Sequence, residues 1–96
     1  MSVQQAVQEH RDEIIEIAAR HGASNVRVFG SVARGTAGPD SDLDLLIDVT
    51  GETTPWFPGG LMADLEDLLG CRVDVATEDT LHRRIRDRVI AEARPL

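Results

Sequence analysis

The sequence predicts a single domain of the α/β (α+β) class, in which a small sheet carries packed helices. Helical and strand patterns follow one another in the order helix, strand, strand, helix, strand, helix. A length of 96 residues supplies one hydrophobic core, so residues 1–96 are expected to form one domain. A composition of 42% apolar and 28% charged residues is typical of a folded chain rather than a disordered one.

The first half of the chain predicts one helix followed by two strands. Apolar residues recur at three- and four-residue steps over residues 3–20, which predicts one amphipathic helix with Gly22 as its C-terminal cap. The β-branched and aromatic segment 26–29 predicts a short strand, and a helical turn is expected over residues 31–34. After a loop that contains Gly and Pro, residues 42–49 predict the second strand.

The second half predicts a helix, a strand and a final helix. A leucine-rich helical stripe over residues 61–69 stops at Gly70, and residues 71–76 then predict the third strand. Asp79 or Thr80 is the expected cap of the last helix, whose apolar residues recur every four positions almost to the end of the chain.

A loop over residues 50–60 separates the two halves and contains the only Trp, Trp56, beside Phe57. We expect both rings to pack against the core beneath this loop. A loop that docks on a partner protein is the alternative.

Composition excludes several function classes. Seventeen acidic residues against ten basic ones give a net charge of -7, which argues against direct nucleic-acid binding and against anionic membrane surfaces. All ten basic residues other than His are Arg, so the Lys-dependent P-loop and Schiff-base chemistry are excluded. The absence of Tyr excludes a tyrosine nucleophile.

Cysteine usage and hydropathy indicate the compartment. Cys71 is the only cysteine, so it forms no internal disulfide, which is typical of a reducing compartment. No apolar run approaches the roughly 18 residues of a membrane span. We therefore expect a cytoplasmic protein without a membrane partner.

Three aspartates in predicted strands indicate a shared site. Asp42 and Asp44 are two residues apart, so in a strand their side chains lie on one face. Asp74 lies between two valines in the third predicted strand and joins them if the two strands are neighbours. Carboxylate oxygens of this kind hold Mg²⁺, and a cluster of three holds one or two ions for phosphoryl transfer. The alternative is a solvated pair of edge-strand side chains.

Gly30 and Ser31, at the end of the first predicted strand, form a candidate phosphate site. A Gly permits close backbone approach, the Ser hydroxyl donates to a phosphate oxygen, and amides at the start of a helix add further donors. Arg34 and Ser41 lie in the segment that follows and are candidates for further nucleotide contacts. The alternative for Arg34 is a cation on the surface of a loop.

The segments 28–37 (VFGSVARGTA) and 40–47 (DSDLDLLI) together resemble the signature of minimal nucleotidyltransferases of the DNA polymerase β superfamily. The resemblance continues through the second helix and Asp74 to the C-terminal segment, and so covers nearly the whole chain. Within that superfamily the sequence is most similar to the minimal nucleotidyltransferase (MNT) antitoxins encoded beside HEPN-domain RNase toxins.

This resemblance implies a palm domain with a mixed sheet and a defined site. Mg²⁺ would be held by Asp42 and Asp44, with Asp74 as the third carboxylate, and the phosphates of ATP would bind at Gly30 and Ser31. The implied reaction moves AMP from ATP to a tyrosine hydroxyl of the HEPN-domain toxin, releases pyrophosphate and silences the RNase. Because the chain has no Tyr, a tyrosine acceptor belongs to another chain.

Two other functions stay open. The chain would be a binding module if it neutralised its toxin by docking alone, with an inactive site. It would be a different transferase if its acceptor were a small hydroxyl compound, although enzymes of that kind generally carry a second domain for the acceptor, for which these 96 residues leave no room.

Overall fold

The computed structural model describes residues 2–38 and 40–96, and in this part of the chain it contains five helices and four strands. The helices are α1 (Val3–Glu9), α2 (Arg11–Arg20), α3 (Gly30–Arg34), α4 (Gly59–Leu69) and α5 (Arg83–Glu92). The strands are β1 (Ala23–Phe29), β2 (Leu43–Val49), β3 (Val73–Ala76) and β4 (Arg94–Pro95). The predicted order is confirmed, with a break between α1 and α2 and the strand β4 as additions.

The four strands form one mixed sheet in the order β3-β2-β1-β4. Strand β1 runs antiparallel to both β2 and β4, whereas β2 and β3 run parallel and are connected through α4. Parallel neighbours need such a crossover, because a tight turn reverses the chain direction. The predicted α/β (α+β) class and the small mixed sheet are therefore confirmed.

The hydrophobic core lies on one face of this sheet. Leu43, Leu45 and Ile47 alternate along β2 and are almost completely buried, as the period of two residues predicts. Helices α1, α2 and α4 supply the other side of the core, which also contains buried residues of β1, α3 and β3. Leu46 is fully buried as well, although it points to the opposite face.

The prediction of a single helix over residues 3–20 is wrong in one respect. His10 leaves helical geometry and divides this segment into α1 and α2. No apolar residue occurs between Val7 and Ile14, so no core contact supports the helix through this polar stretch. The His10 ring nitrogen Nδ1 instead lies 2.9 Å from Glu13 Oε1 in the first turn of α2. Val7 and Ile14 still reach the same core.

The start of the last helix also differs from the prediction. Thr80 and Asp79 do not cap it, because Thr80 closes a turn with Thr77, whose backbone N–H donates to Thr80 Oγ1 at 3.0 Å. Helix α5 begins three residues later, and His82 is its N-cap, with Nδ1 accepting from the Arg84 backbone N–H at 3.1 Å. The tight turn after β3 therefore delays the helix.

The first residues of three strands differ from the predicted ones. Strand β1 begins earlier than predicted, and β2 and β3 begin later. Strand β1 begins at Ala23, and its irregular register includes Asn25 with φ 48°. Strand β2 begins at Leu43 rather than at residue 42, and β3 begins at Val73 rather than at residue 71. Strand β4 was not predicted, because two residues that include Pro95 carry no strand pattern of their own.

The two aromatic residues of the 50–60 loop have different surroundings. Phe57 packs against the core, as expected, but Trp56 is 83% exposed, so the expectation that both rings are buried is wrong for Trp56. In the described part of the chain, no helix has the length and apolar character needed to cross a bilayer.

Gly22 joins the end of α2 to the loop that follows β2. Its backbone has φ 82°, and its carbonyl accepts from the Thr50 N–H at 2.9 Å. A Cβ at this position would lie 2.5 Å from the backbone oxygen of Glu52. Gly70, the C-cap of α4, has a similar φ of 69° but open space where a Cβ would lie.

We predict that Gly22→Ala lowers the free energy of unfolding by at least about 3 kcal/mol, whereas Gly70→Ala lowers it by about 1 kcal/mol. Both variants place Ala in the left-handed region, but only at Gly22 does the methyl group meet a backbone oxygen. Urea unfolding of both variants measures the difference. Equal losses would contradict the assigned close approach.

Candidate active site

The centre of the candidate site is the pairing of two aspartates across the sheet. Asp44 of β2 lies opposite Asp74 of β3 in the parallel register, and opposite Phe29 of β1 in the antiparallel register. Register partners project to the same face, so Asp44 and Asp74 lie side by side on the face that turns away from the main core. Asp74 is exposed and Asp44 is half-buried.

Asp42 stands immediately before β2 and not within it. The strand pairing starts at the next residue, where the Leu43 N–H donates to the Arg72 carbonyl at 2.8 Å. Asp42 is nevertheless close enough to Asp44 for its charge to act on that carboxyl group. The structure therefore pairs Asp44 with Asp74 and leaves Asp42 within electrostatic range of Asp44.

The electrostatic environment of Asp44 is unfavourable to its charge. Burial raises the pKa of the Asp44 carboxyl above its usual value, and the negative charges of Asp74 and Asp42 raise it further. Arg34 acts in the opposite direction, and Glu92 adds a smaller rise in the pKa. A nearby positive charge would therefore stabilise the ionised form of Asp44.

Gly30 directly follows Phe29 and lies against Asp44. Its φ is 72°, and a Cβ built on it would collide with Asp44 Oδ2. Any other residue would push the carboxylate away or displace the start of α3. Gly30 is therefore required by both its backbone conformation and the close approach to Asp44.

Ser31 and Arg34 are on the short helix α3 beside this contact. The Ser31 carbonyl accepts from the Thr36 N–H at 3.0 Å, while its hydroxyl makes no hydrogen bond to another residue within 2–38 and 40–96. The Arg34 guanidinium is engaged, because its Nη1 donates to Glu92 Oε1 of α5 at 2.7 Å. Arg34 is the last residue of α3 rather than part of a loop, and its side chain is 55% exposed.

Ser41 has a local role in the loop before β2. Its hydroxyl accepts from the Gly38 N–H at 2.7 Å, and its own N–H donates to the Gly38 carbonyl at 3.2 Å. Ser41 and Asp42 also line a cleft of about 420 Å³ at the start of β2. Its other lining residues are Asp40, Glu66, Gly70, Cys71 and Arg72.

The donor set matches the preferences of Mg²⁺, which takes hard oxygen ligands from one or two carboxylates together with phosphate oxygens. Asp44 and Asp74 supply such oxygens from neighbouring strands, and the carboxylate of Asp42 lies near the first of them. Across residues 2–38 and 40–96, no three Asp, Glu, His or Cys side chains converge in the arrangement of a metal-binding group.

The structure also gives the ion-pair partners of two other acidic residues, Asp48 and Glu92. Asp48, on the same face of β2 as Asp44, pairs with the Arg27 guanidinium at 2.9 Å and has no part in the cluster. Glu92 was not predicted, because it belongs to the candidate site only through its contact with Arg34, 58 residues away in sequence. No local pattern reports such a contact.

Cys71 lies at the edge of the cleft but is not set up as a nucleophile. Burial raises the pKa of its thiol, and the charges of Asp42 and Glu66 raise it further. The side chain is half-buried and packs against the core.

We predict that Asp44→Asn raises the melting temperature at pH 7 in the absence of divalent cations. The folded-state pKa of Asp44 is raised above its unfolded-state value, so the ionised form destabilises the fold. This penalty is absent below the unfolded-state pKa, grows as pH rises above that value, and is complete once pH exceeds the folded-state pKa. The stabilisation by Asn should therefore increase between pH 4 and pH 7 in thermal melts. Asp48→Asn is the matched control on the same strand, because Asp48 is paired with Arg27. An equal rise for both variants would contradict the charge crowding at Asp44.

Comparisons with known proteins identify the family. A family model described as a nucleotidyltransferase domain matches residues 8–96. The protein adenylyltransferase MntA of Thermococcus cleftensis is 38% identical over 79 residues, covering 80% of this chain and 78% of that protein. A Methanocaldococcus jannaschii protein, provisionally named a protein adenylyltransferase, is 33% identical over 87 residues, covering 91% of this chain and 94% of that protein.

Two solved structures have the same fold. One, provisionally described as a minimal nucleotidyltransferase, has a TM-score of 0.85 and 46% identity, covering 100% of this chain and 97% of that chain. The other, described as a toxin-antitoxin with AMP-PNP, has a TM-score of 0.73 and 19% identity, covering 88% of this chain and 69% of that chain, and shows a likeness of fold alone. The resemblance noted in the sequence is thus confirmed, and the protein belongs to the nucleotidyltransferase domain family and is a nucleotidyl-transferring enzyme.

Proposed function

We propose that this protein is the antitoxin of a toxin-antitoxin pair and acts as a Mg²⁺-dependent protein adenylyltransferase. It transfers AMP from ATP to a tyrosine hydroxyl of a HEPN-domain RNase toxin. The observation that carries the proposal is the convergence of Asp44 and Asp74, paired across β2 and β3, with Gly30 against the Asp44 carboxylate. The names of the two adenylyltransferase relatives support AMP as the transferred group.

The nucleotide phosphates are assigned to the segment between β1 and β2. Gly30 lets a phosphate approach the backbone, and the Ser31 hydroxyl is available as a hydrogen-bond donor. Arg34 supplies a positive charge beside Asp44. Ser41 contributes by holding the loop at Gly38 and is a candidate for a further nucleotide contact.

Asp42, Asp44 and Asp74 are the proposed ligands of one or two Mg²⁺ ions. When bound, Mg²⁺ supplies charge stabilisation at the reacting phosphate. The acceptor hydroxyl oxygen forms a bond to the α-phosphorus of ATP, the bond to the β-phosphate oxygen breaks, and pyrophosphate leaves. Asp74 is exposed next to Asp44, and this supports Asp74 as the acceptor of the proton of the incoming hydroxyl.

A protein acceptor agrees with the composition and the surface. The chain has no Tyr, so a tyrosine acceptor must come from another chain. Trp56 is 83% exposed, and large exposed aromatic side chains are enriched at protein interfaces. The likeness to a toxin-antitoxin structure with AMP-PNP supports a toxin and a nucleotide as partners. A cytoplasmic location and the absence of membrane and direct nucleic-acid partners belong to the same proposal.

The decisive experiment incubates the purified protein with α-labelled ATP, Mg²⁺ and the HEPN-domain toxin encoded beside it. We expect label on the toxin, and we expect Asp44→Ala to reduce the rate at least about a hundredfold, because it removes a ligand oxygen at the reacting centre. Asp48→Asn, on the same strand but paired with Arg27, should transfer AMP at close to the parent rate.

The outcome separates the three functions. No label on the toxin with either the parent protein or Asp44→Ala would refute the transferase proposal, and neutralisation of the toxin by Asp44→Ala in cells would show that docking suffices. Label on a small hydroxyl compound, and none on the toxin, would indicate the small-acceptor function.

We predict that Gly30→Ala weakens Mg²⁺-ATP binding at least about tenfold, which corresponds to about 1.4 kcal/mol. The added methyl group would collide with the Asp44 carboxylate and displace both proposed binding elements. Gly35→Ala is the matched control, because Gly35 has φ 75° in the same segment and open space at the Cβ position. Isothermal titration calorimetry measures both affinities, and an equal loss in the two variants would show that backbone strain alone is responsible.

A further inference from the structure

Glu92 links helix α5 to the proposed nucleotide site. It is the last residue of α5, and its Oε1 accepts a hydrogen bond from Arg34 Nη1 at 2.7 Å. The Glu92 side chain is 21% exposed, whereas that of Arg34 is 55% exposed. The pair is therefore partly exposed to solvent, and Glu92 is the more covered of the two side chains.

The surroundings of the Glu92 carboxylate are those proposed for a phosphate. Its hydrogen bond with Arg34 lowers the pKa of Glu92 most, and the Arg34 charge, the Gly30 backbone N–H and Arg88 lower it further. The charge of Glu92 in turn reaches Asp44. A negatively charged group of the protein thus lies against Gly30 and Arg34, which are also proposed to bind the nucleotide.

The backbone on both sides of Glu92 is fixed. The Ala93 N–H donates to the Val89 carbonyl at 2.8 Å, and Val89 is buried. Arg94 and Pro95 then pair with β1. Glu92 can therefore leave Arg34 by rotation of its side chain, whereas a displacement of its backbone would break the end of α5 or the pairing of β4.

We propose that Glu92 competes with the nucleotide phosphates for Arg34, so that binding of a nucleoside triphosphate requires the Arg34–Glu92 ion pair to open. The inference rests on the proposed function, in which Arg34 contacts phosphate. Two anions cannot share one guanidinium at the same atoms without repulsion, so the free energy of the internal pair is subtracted from the affinity for nucleotide. Glu92 is thus a positioning residue that sets nucleotide affinity through Arg34.

The test is calorimetric titration of the full chain with Mg²⁺-ATP. Glu92→Gln and Glu92→Ala should each bind about two- to fivefold more tightly than the parent protein, the range expected from releasing one partly exposed ion pair. Asp87→Asn is the matched control, because it removes one negative charge from an exposed position on the same helix. Thermal melts verify that each variant is folded.

Two further readouts separate competition from a structural effect. In an Arg34→Ala background, Glu92→Gln should gain no more affinity than Asp87→Asn does, because the contested guanidinium is gone. The gain from Glu92→Gln in the parent background should also shrink as ionic strength rises, since salt screens a partly exposed pair.

The measured Mg²⁺-ATP affinities distinguish failure of the competition from failure of the proposed function. Mg²⁺-ATP affinity of Glu92→Gln and Glu92→Ala at or below that of Asp87→Asn would overturn the competition while leaving nucleotide binding by the parent protein, and the proposed function, intact. A gain in affinity from Glu92→Gln that is equally large in the Arg34→Ala background would also overturn the competition. No Mg²⁺-ATP binding by the parent protein or by either Glu92 variant would overturn the competition together with the proposed function.

Discussion

The parallel register of β2 and β3 is the constraint on which the rest of the site depends. It places Asp44 beside Asp74, two like charges that disfavour each other. The opposite face of the same strands fixes this register, because Leu43 and Leu45 pair with Val73 and Val75 over the core. A slip of β3 by one residue would turn Asp74 into the core and Val73 and Val75 out of it. The hydrophobic alternation therefore holds together two carboxylates that would otherwise separate.

Gly30 extends this constraint to β1, the strand on the other side of β2. The antiparallel pair of Phe29 with Asp44 brings the end of β1 to the carboxylate, and only a residue without Cβ fits between them. The chain then turns directly into α3, which carries Ser31 and Arg34. The β2–β3 pair thus positions the carboxylates, and the β1–β2 pair positions the proposed phosphate-binding segment against them. The whole arrangement needs the three neighbouring strands β3, β2 and β1 and one short helix, which is why so small a domain suffices.

The parts of the fold that the sequence predicted are those with a strong local pattern. The alternation in β2 and the leucine stripe of α4 predicted elements that the structure confirms, because burial on one face imposes their periods. The missed features depend on partners distant in the chain. Strand β4 exists because Arg94 and Pro95 meet β1, and the Arg34–Glu92 contact joins helices far apart in sequence. The delayed start of α5 follows from the turn at Thr77, where side-chain hydrogen bonds compete with helix formation.

The charge distribution around the site explains how an acidic protein can be suited to an anionic substrate. Burial raises the pKa of Asp44, the charges of Asp74, Asp42 and Glu92 raise it further, and among the residues that the structure describes Arg34 opposes them. Because Glu92 occupies Arg34 in the free protein, little positive charge remains for an unaccompanied triphosphate. In the proposed function, a nucleotide that arrives with its own divalent cation would meet the opposite situation, since the cation would stabilise the crowded carboxylates while the phosphates approached the backbone at Gly30. The same carboxylates that repel a bare nucleotide would therefore favour its magnesium complex, and the net charge of -7 would become a basis for selecting that complex.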